Sequence, residues 1–177
     1  MSEHLLVVFA TRYGTSRRLA ERVAGRATEA GITVTLRDLA DGPGTVDAEI
    51  TRVVVVGAVY SNQHDGAVLS FLQTHREALK ARRCGLVSVS LAAAIPTDEG
   101  ESMTFDYVDE LCRLTGFAPK DVLTTPGALD ESRYDTATAA LLRVATWRTQ
   151  LQATGDRSFV DEAALDAAVR RWFSGRR

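Results

Sequence analysis

Cysteine is scarce: Cys84 and Cys112 are the only two in 177 residues. So few argue against a disulfide framework, and a chain of this length can bury roughly 70% of its unfolded surface without one. Basic charge is not in excess, since 21 Lys and Arg stand against 23 Asp and Glu for a net charge of -2. That balance argues against a general nucleic-acid binder and equally against a strongly acidic docking protein. Lysine is nearly absent, with only Lys80 and Lys120. No apolar run approaches the ~20 residues of a membrane span. Met1 to His4 carries no basic region ahead of the short apolar run that follows, so no signal peptide is expected. The expectation is a soluble, cytoplasmic protein. Residues 1–177 are expected to form a single domain, without repeat, linker or low-complexity segment.

Several chemical signatures are missing as well. There is no G-x-x-x-x-G-K-[ST] loop and no G-x-G-x-x-G fingerprint. His4 and Ala10-Thr11 flank the first strand candidate, so no cluster of Asp offers a Mg²⁺ pocket there. Six positions after Cys84 stands Ser90, and six after Cys112 stands Ala118, which rules out a Cys–Arg phosphatase loop. His4, His64 and His75 lie too far apart to form a metal motif.

What is present is an alternation of periods. Leu5 to Phe9 is a short apolar run suited to a strand buried on both faces. Ala10 to Ser16 is small and polar. From Arg17 the spacing becomes helical, with Leu19, Val23 and Ala27 on one face and Gly31 at the end. Thr33 to Leu36 is a second strand candidate. Val53 to Val56, four valines before Gly57, is the clearest strand signal in the chain. One helix is expected after Asp65-Gly66, carrying Val68, Leu69, Leu72 and Leu79. Gly85 to Leu91 reads as a strand, Ala92 to Glu101 as a long loop, Phe105 to Leu114 as a helix and Val122 to Thr125 as a fifth strand. Helices are expected over Tyr134 to Leu151 and on to about Phe173. Five strand–helix alternations predict an α/β three-layer sandwich around a parallel sheet.

Ligands bind such sheets beyond the carboxyl ends of the strands, which singles out three segments. Thr11, Arg12, Tyr13, Gly14, Thr15 and Ser16 lie between a strand and a helix start. Three hydroxyls and a glycine at a helix N-terminus form an anion site, or Thr15 or Ser16 simply caps the helix. Ala58, Val59, Tyr60, Ser61 and Asn62 follow the valine strand, and Tyr60 could stack on a flat ligand or be a rim side chain. Ser90, Leu91, Ala92, Ala93 and Ala94 offer backbone donors beside small side chains, or a tight crossover. His64-Asp65 is expected as a surface turn and helix cap, the alternative being that His64 shuttles protons near a bound ligand. Cys84 and Cys112 are expected to pack as small hydrophobes.

Thr11 to Ser16 matches the pattern T-x-x-G-[ST]-[ST], and in this respect the chain resembles the flavodoxin-like FMN-binding family. Phe9 to Gly14, Val53 to Ala58, Ser88 to Leu91 and Pro126 to Leu129 make it most similar to the flavodoxin-domain group that contains menaquinone-dependent protoporphyrinogen IX dehydrogenase. The resemblance implies strand order 2-1-3-4-5 and one FMN. Its phosphate would lie on Thr11 to Ser16, and its isoalloxazine between the Tyr60 and Leu91 loops. It also implies an oxidoreductase that passes electrons from a reduced substrate, in some members a porphyrinogen, to a quinone or other redox partner. Two alternatives stand beside this: a flavodoxin-type electron carrier, or a domain that has lost FMN and serves binding or regulation. The stretch from Asp130 to Gln152 lacks a basic, aromatic cluster, so at most weak peripheral membrane contact is expected. Leu91 to Pro96 has no aromatic, which leaves one flavin face open. A homodimer is compatible with all of these readings, and no catalytic side chain is assigned.

Overall fold

A computed structural model describes residues 3–129, 157–158 and 160–174, with side chains described through 128 and again from 160 to 174. The expected helix over Tyr134 to Leu151 and the Asp130 to Gln152 stretch lie outside them. Strands β1 (His4–Phe9), β2 (Thr33–Asp38), β3 (Arg52–Tyr60), β5 (Arg83–Val89) and β6 (Asp121–Thr125) form a parallel sheet in the order β2-β1-β3-β5-β6. Apart from the short β4 (Gln63–His64), this is the expected 2-1-3-4-5 topology. A further two-residue pair, β7 (Ala128–Leu129) and β8 (Arg157–Ser158), stands apart from it.

The period of two in the strands sorts the core into two layers. Leu5, Val7, Phe9, Val54, Val56, Val87 and Val89 face α1 (Thr15–Glu29) and α5 (Glu162–Ser174). Leu6, Val8, Val53, Val55 and Leu86 face α2 (Gly66–Thr74), α3 (Arg76–Lys80) and α4 (Asp98–Thr115). Because both faces are covered, the central strands read as unbroken apolar runs. On the first face Asp166 of α5, 5% exposed, accepts from Arg22 Nε at 2.8 Å and from Arg26 Nη2 at 2.7 Å. This fork ties the C-terminal helix to α1.

Three local expectations change. The single helix expected through Leu79 breaks at His75, giving α2 and α3. The loop expected from Ala92 to Glu101 holds a 3-10 turn at Ala92–Ala94, and α4 already begins at Asp98. Thr97 caps that helix by accepting from the Gly100 amide at 3.2 Å, and Asp98, Glu99 and Glu101 favour its positive end. Gly100 is needed because a Cβ there would stand 2.5 Å from the Ile95 carbonyl oxygen. Lastly, β3 does not stop where the sheet stops. Its pairing with β5 ends at Ala58, and Val59 and Tyr60 run on to pair antiparallel with His64 and Gln63. Ser61 and Asn62 close this hairpin with φ of 48° and 66°. Two consecutive left-handed residues are the geometry of a type I′ turn.

Candidate functional site

The segments after β1, β3 and β5 emerge at the carboxyl end of the sheet, and the site is built from them. After β1, Thr11 Oγ1 accepts from the Gly14 amide at 2.8 Å, which curls the loop back on itself. Gly14, at φ 91°, occupies the left-handed region that a side chain would strain, and it is the residue before the first turn of α1. Neither Thr15 nor Ser16 caps the helix, as the simpler alternative required, since both lie within its first turn. The first-turn amides therefore keep their bonding capacity, and no acidic residue sits among them. Ser16 is 1% exposed, and its Oγ has no hydrogen-bond partner among the described residues. A buried hydroxyl without a partner costs about 1–3 kcal/mol. Ser16 thus supplies an unspent polar atom at the positive end of a helix. Beside it, Arg17 is held away by Asp38 at 2.6 Å, with its guanidinium 5.1 Å from the Phe9 ring centre.

The second segment stands against the first. Arg12 lays its guanidinium 4.3 Å from the Tyr60 ring centre and donates from Nε to Asp65 at 3.2 Å. Tyr13 meets Tyr60 edge to face at 6.0 Å. Burial pushes the Tyr60 phenol above its usual range, so it stays protonated. Asp65 caps α2 by accepting from the Ala67 amide at 3.0 Å, as the sequence indicated.

His64 departs from expectation. It is not a surface turn residue but 3% exposed, with Nε2 2.9 Å from Ser88 Oγ. Burial lowers its pKa to about 4, against an opposing backbone hydrogen bond with Tyr107. The imidazole is therefore neutral at physiological pH. Gly57 makes room for it, since a Cβ there would lie 3.2 Å from His64 Cδ2. Tyr107 in turn donates from its hydroxyl to Asn62 Oδ1 at 3.0 Å. The Tyr60 hairpin is thus pinned to β5 through Ser88 and to α4 through Tyr107. No sequence periodicity marks this network. Its one sequence signal is Ser88, a polar residue between Val87 and Val89 of an apolar strand, whereas His64 lies in the polar stretch Ser61 to Asp65.

The third segment offers fewer donors than expected. The Ser90 amide is spent on the Thr125 carbonyl at 3.1 Å, the Ala94 amide on the Leu91 carbonyl at 3.0 Å, and the Ala93 amide on Ser90 Oγ at 3.3 Å. Cys84 and Cys112 are buried and half-buried, with burial raising both thiols, Cys84 to about 11. Neither is suited to nucleophilic chemistry. Among the described residues no group of His, Cys, Asp or Glu could hold a metal ion. No helix among them is long and apolar enough to cross a membrane.

A family model described as "Flavodoxin domain" matches residues 6–154, most of the chain. The chain belongs to the flavodoxin domain family. Among solved structures it is similar to oxidised flavodoxin 1 from Bacillus cereus, with 14% identity over 86% of this chain and 100% of that one, at a TM-score of 0.53. A flavodoxin from Fusobacterium nucleatum, bound to flavin mononucleotide, is 11% identical over 97% of this chain and 95% of its own, at a TM-score of 0.54. Rubredoxin:oxygen oxidoreductase from Desulfovibrio gigas is 16% identical over 94% of this chain and 37% of its own, at a TM-score of 0.51. At such identities the likeness establishes the fold. No curated protein matches the chain.

FMN binding is the hallmark of this flavodoxin family. The residues present here fit it. The buried, unpartnered Ser16 Oγ and the first turn of α1 offer a phosphate what a cap would otherwise have consumed.

Proposed function

We propose that this flavodoxin domain binds one FMN at the carboxyl end of its sheet and transfers electrons with a redox partner. The observation that carries this is Ser16 Oγ, buried and unpartnered at the N-terminus of α1 behind a left-handed Gly14. Thr11 shapes the loop, and the hydroxyls of Thr15 and Ser16 with the first-turn amides hold the phosphate. Val59, Tyr60 and Ser61 line one side of the isoalloxazine position, and Leu91 and Ala92 present their amides on the other. The flavin supplies one- and two-electron chemistry when bound, and the chain orients it and shapes its electrostatics.

Purified protein, or apoprotein given FMN, is expected to show the absorbance of an oxidised flavin. A ferredoxin–NADP reductase is expected to reduce it. A protein that cannot take up FMN, and so acts only in binding or regulation, overturns the proposal.

A second reading, oxidation of a protoporphyrinogen with a quinone acceptor, is favoured by the four matching segments and by the lack of an aromatic from Leu91 to Pro96, which leaves room for a flat substrate. Turnover of protoporphyrinogen with a soluble menaquinone analogue supports it. Reduction by the reductase without any such turnover leaves the carrier alone.

A further inference from the structure

Arg12 and Asp65 stand out because the phosphate loop needs neither. Resting on the cofactor reading above, we propose that they form a charge-balanced pair that sets how strongly this site prefers reduced over oxidised FMN. Arg12 reaches out of the phosphate loop to the Tyr60 ring, its guanidinium 4.3 Å from the ring centre. It is fixed there by Asp65 at 3.2 Å. Asp65 is itself immobilised twice more, donating its amide to the Ala58 carbonyl at 3.0 Å and accepting from the Ala67 amide at 3.0 Å. One cation and one anion are therefore held at the base of the Tyr60 hairpin.

Two-electron reduction of oxidised flavin at neutral pH takes up two electrons and one proton, the proton at N5, and leaves one negative charge on the ring: FMN + 2e⁻ + H⁺ gives FMNH⁻. A charge near the ring acts on this product and hardly at all on the neutral oxidised ring. Arg12 stabilises the anion and Asp65 opposes it. In the wild type the two contributions largely cancel. Removing one partner exposes the other, so the two single variants must move the preference in opposite directions. A role confined to packing the hairpin has no such sign.

The test measures the equilibrium affinity of the apoprotein for oxidised FMN and, anaerobically with dithionite as the electron source, for reduced FMN. The readout is the ratio of the two, which no turnover assay enters. Arg12→Gln is expected to lower the preference for the reduced form roughly tenfold, and Asp65→Asn to raise it by a similar factor. Asparagine keeps the helix cap, so Asp65→Asn removes charge and leaves the hairpin's anchorage. The double variant is expected to return near the wild-type ratio. Arg12→Lys, which keeps the charge without the planar stack on Tyr60, is expected to stay within about twofold of the wild type. Both single effects are expected to shrink as ionic strength rises, because Arg12 is 55% exposed. Ratios unchanged in both single variants, or shifted in the same direction, overturn the inference while leaving FMN binding intact. A wild type that takes up neither form overturns the cofactor reading first, and this inference with it.

Discussion

The two ends of the sheet use their polar groups differently. At the amino end, the buried Arg52 donates from Nη1 to the Trp172 carbonyl and from Nη2 to Glu3, each at 2.6 Å. Arg83 pairs with Asp121 at 3.0 Å, and Arg82 donates to the carbonyls of Ile50 at 2.8 Å and Asp47 at 2.9 Å. Every one of these cations is spent on closing the fold. At the carboxyl end, Ser16 Oγ is buried with no partner among the described residues. Parallel sheets place ligands at that end. The contrast therefore separates polar groups that hold the architecture from polar groups held ready for a ligand. Unpaired polarity is not a sufficient mark of a site, however. His75 Nε2 is also buried without a partner, yet it sits at the break between α2 and α3, against the Phe71 ring.

The comparison is broken most readily at the amino end. Arg52→Ala leaves the Glu3 carboxylate and the Trp172 carbonyl without their donor. It is expected to lower the unfolding free energy by about 3 kcal/mol in urea titrations, with the FMN affinity of the folded protein unchanged. A loss of affinity at constant stability would show that the two ends do not divide as described.

Between the ends, His64 gives a pH test. Its folded pKa is about 4 against an ordinary 6.5, so the unfolded chain binds the proton more readily. Its effect on stability is constant above pH 6.5 and turns unfavourable as pH falls toward 4, reaching up to about 3 kcal/mol. Replacing His64 with Leu is expected to flatten that part of the acid slope in urea titrations repeated across the range. A slope identical to the wild type's would contradict a buried neutral imidazole.

Asp166→Asn weakens the fork that joins α5 to α1. Hydrogen bonds from Arg22 and then Arg26 hold the Asp166 carboxyl well below the usual carboxylate range. The stability it contributes is therefore full above the ordinary Asp pKa and is lost only as pH falls through its depressed folded value. The variant is expected to lose about 2 kcal/mol at neutral pH, again with FMN affinity unchanged. The smallest effect belongs to the carboxyl end. Ser16→Ala is expected to leave the apoprotein as stable as the wild type or slightly more so, since it deletes an unpaired hydroxyl. FMN affinity is expected to fall roughly tenfold by fluorescence titration, the worth of one charge-assisted bond.

How far the chain could be read in advance depended on whether the signal was periodic. Leu5 to Phe9 and Val53 to Val56 are apolar without interruption because helices cover both faces of the sheet, and that pattern located the strands, while their order followed only from the family resemblance. The start of α4 was hidden because Asp98 to Glu101 has no apolar period. Its cause is a Thr97 cap and the helix dipole. The break at His75 was hidden because Leu72 and Leu79 keep helical spacing across it. In the site, Thr11 to Ser16 was legible from its residue types, and Tyr60 from its place after the valine strand. What Tyr60 touches was not, because Arg12, Tyr13 and Asp65 meet only through the type I′ hairpin, whose Ser61-Asn62 lacks the usual glycine. His64 was misjudged for the same reason, since the turn that carries it folds back over Gly57 and buries it against Ser88.

The central claim is that the first turn of α1 holds a phosphate group. It is tested most directly by titrating the wild-type apoprotein with FMN and, in parallel, with riboflavin, which has the same ring and no phosphate. The account predicts micromolar or tighter binding of FMN, with riboflavin at least tenfold weaker, a difference of about 1.4 kcal/mol or more. Equal affinities for the two, or no uptake of either, would contradict it.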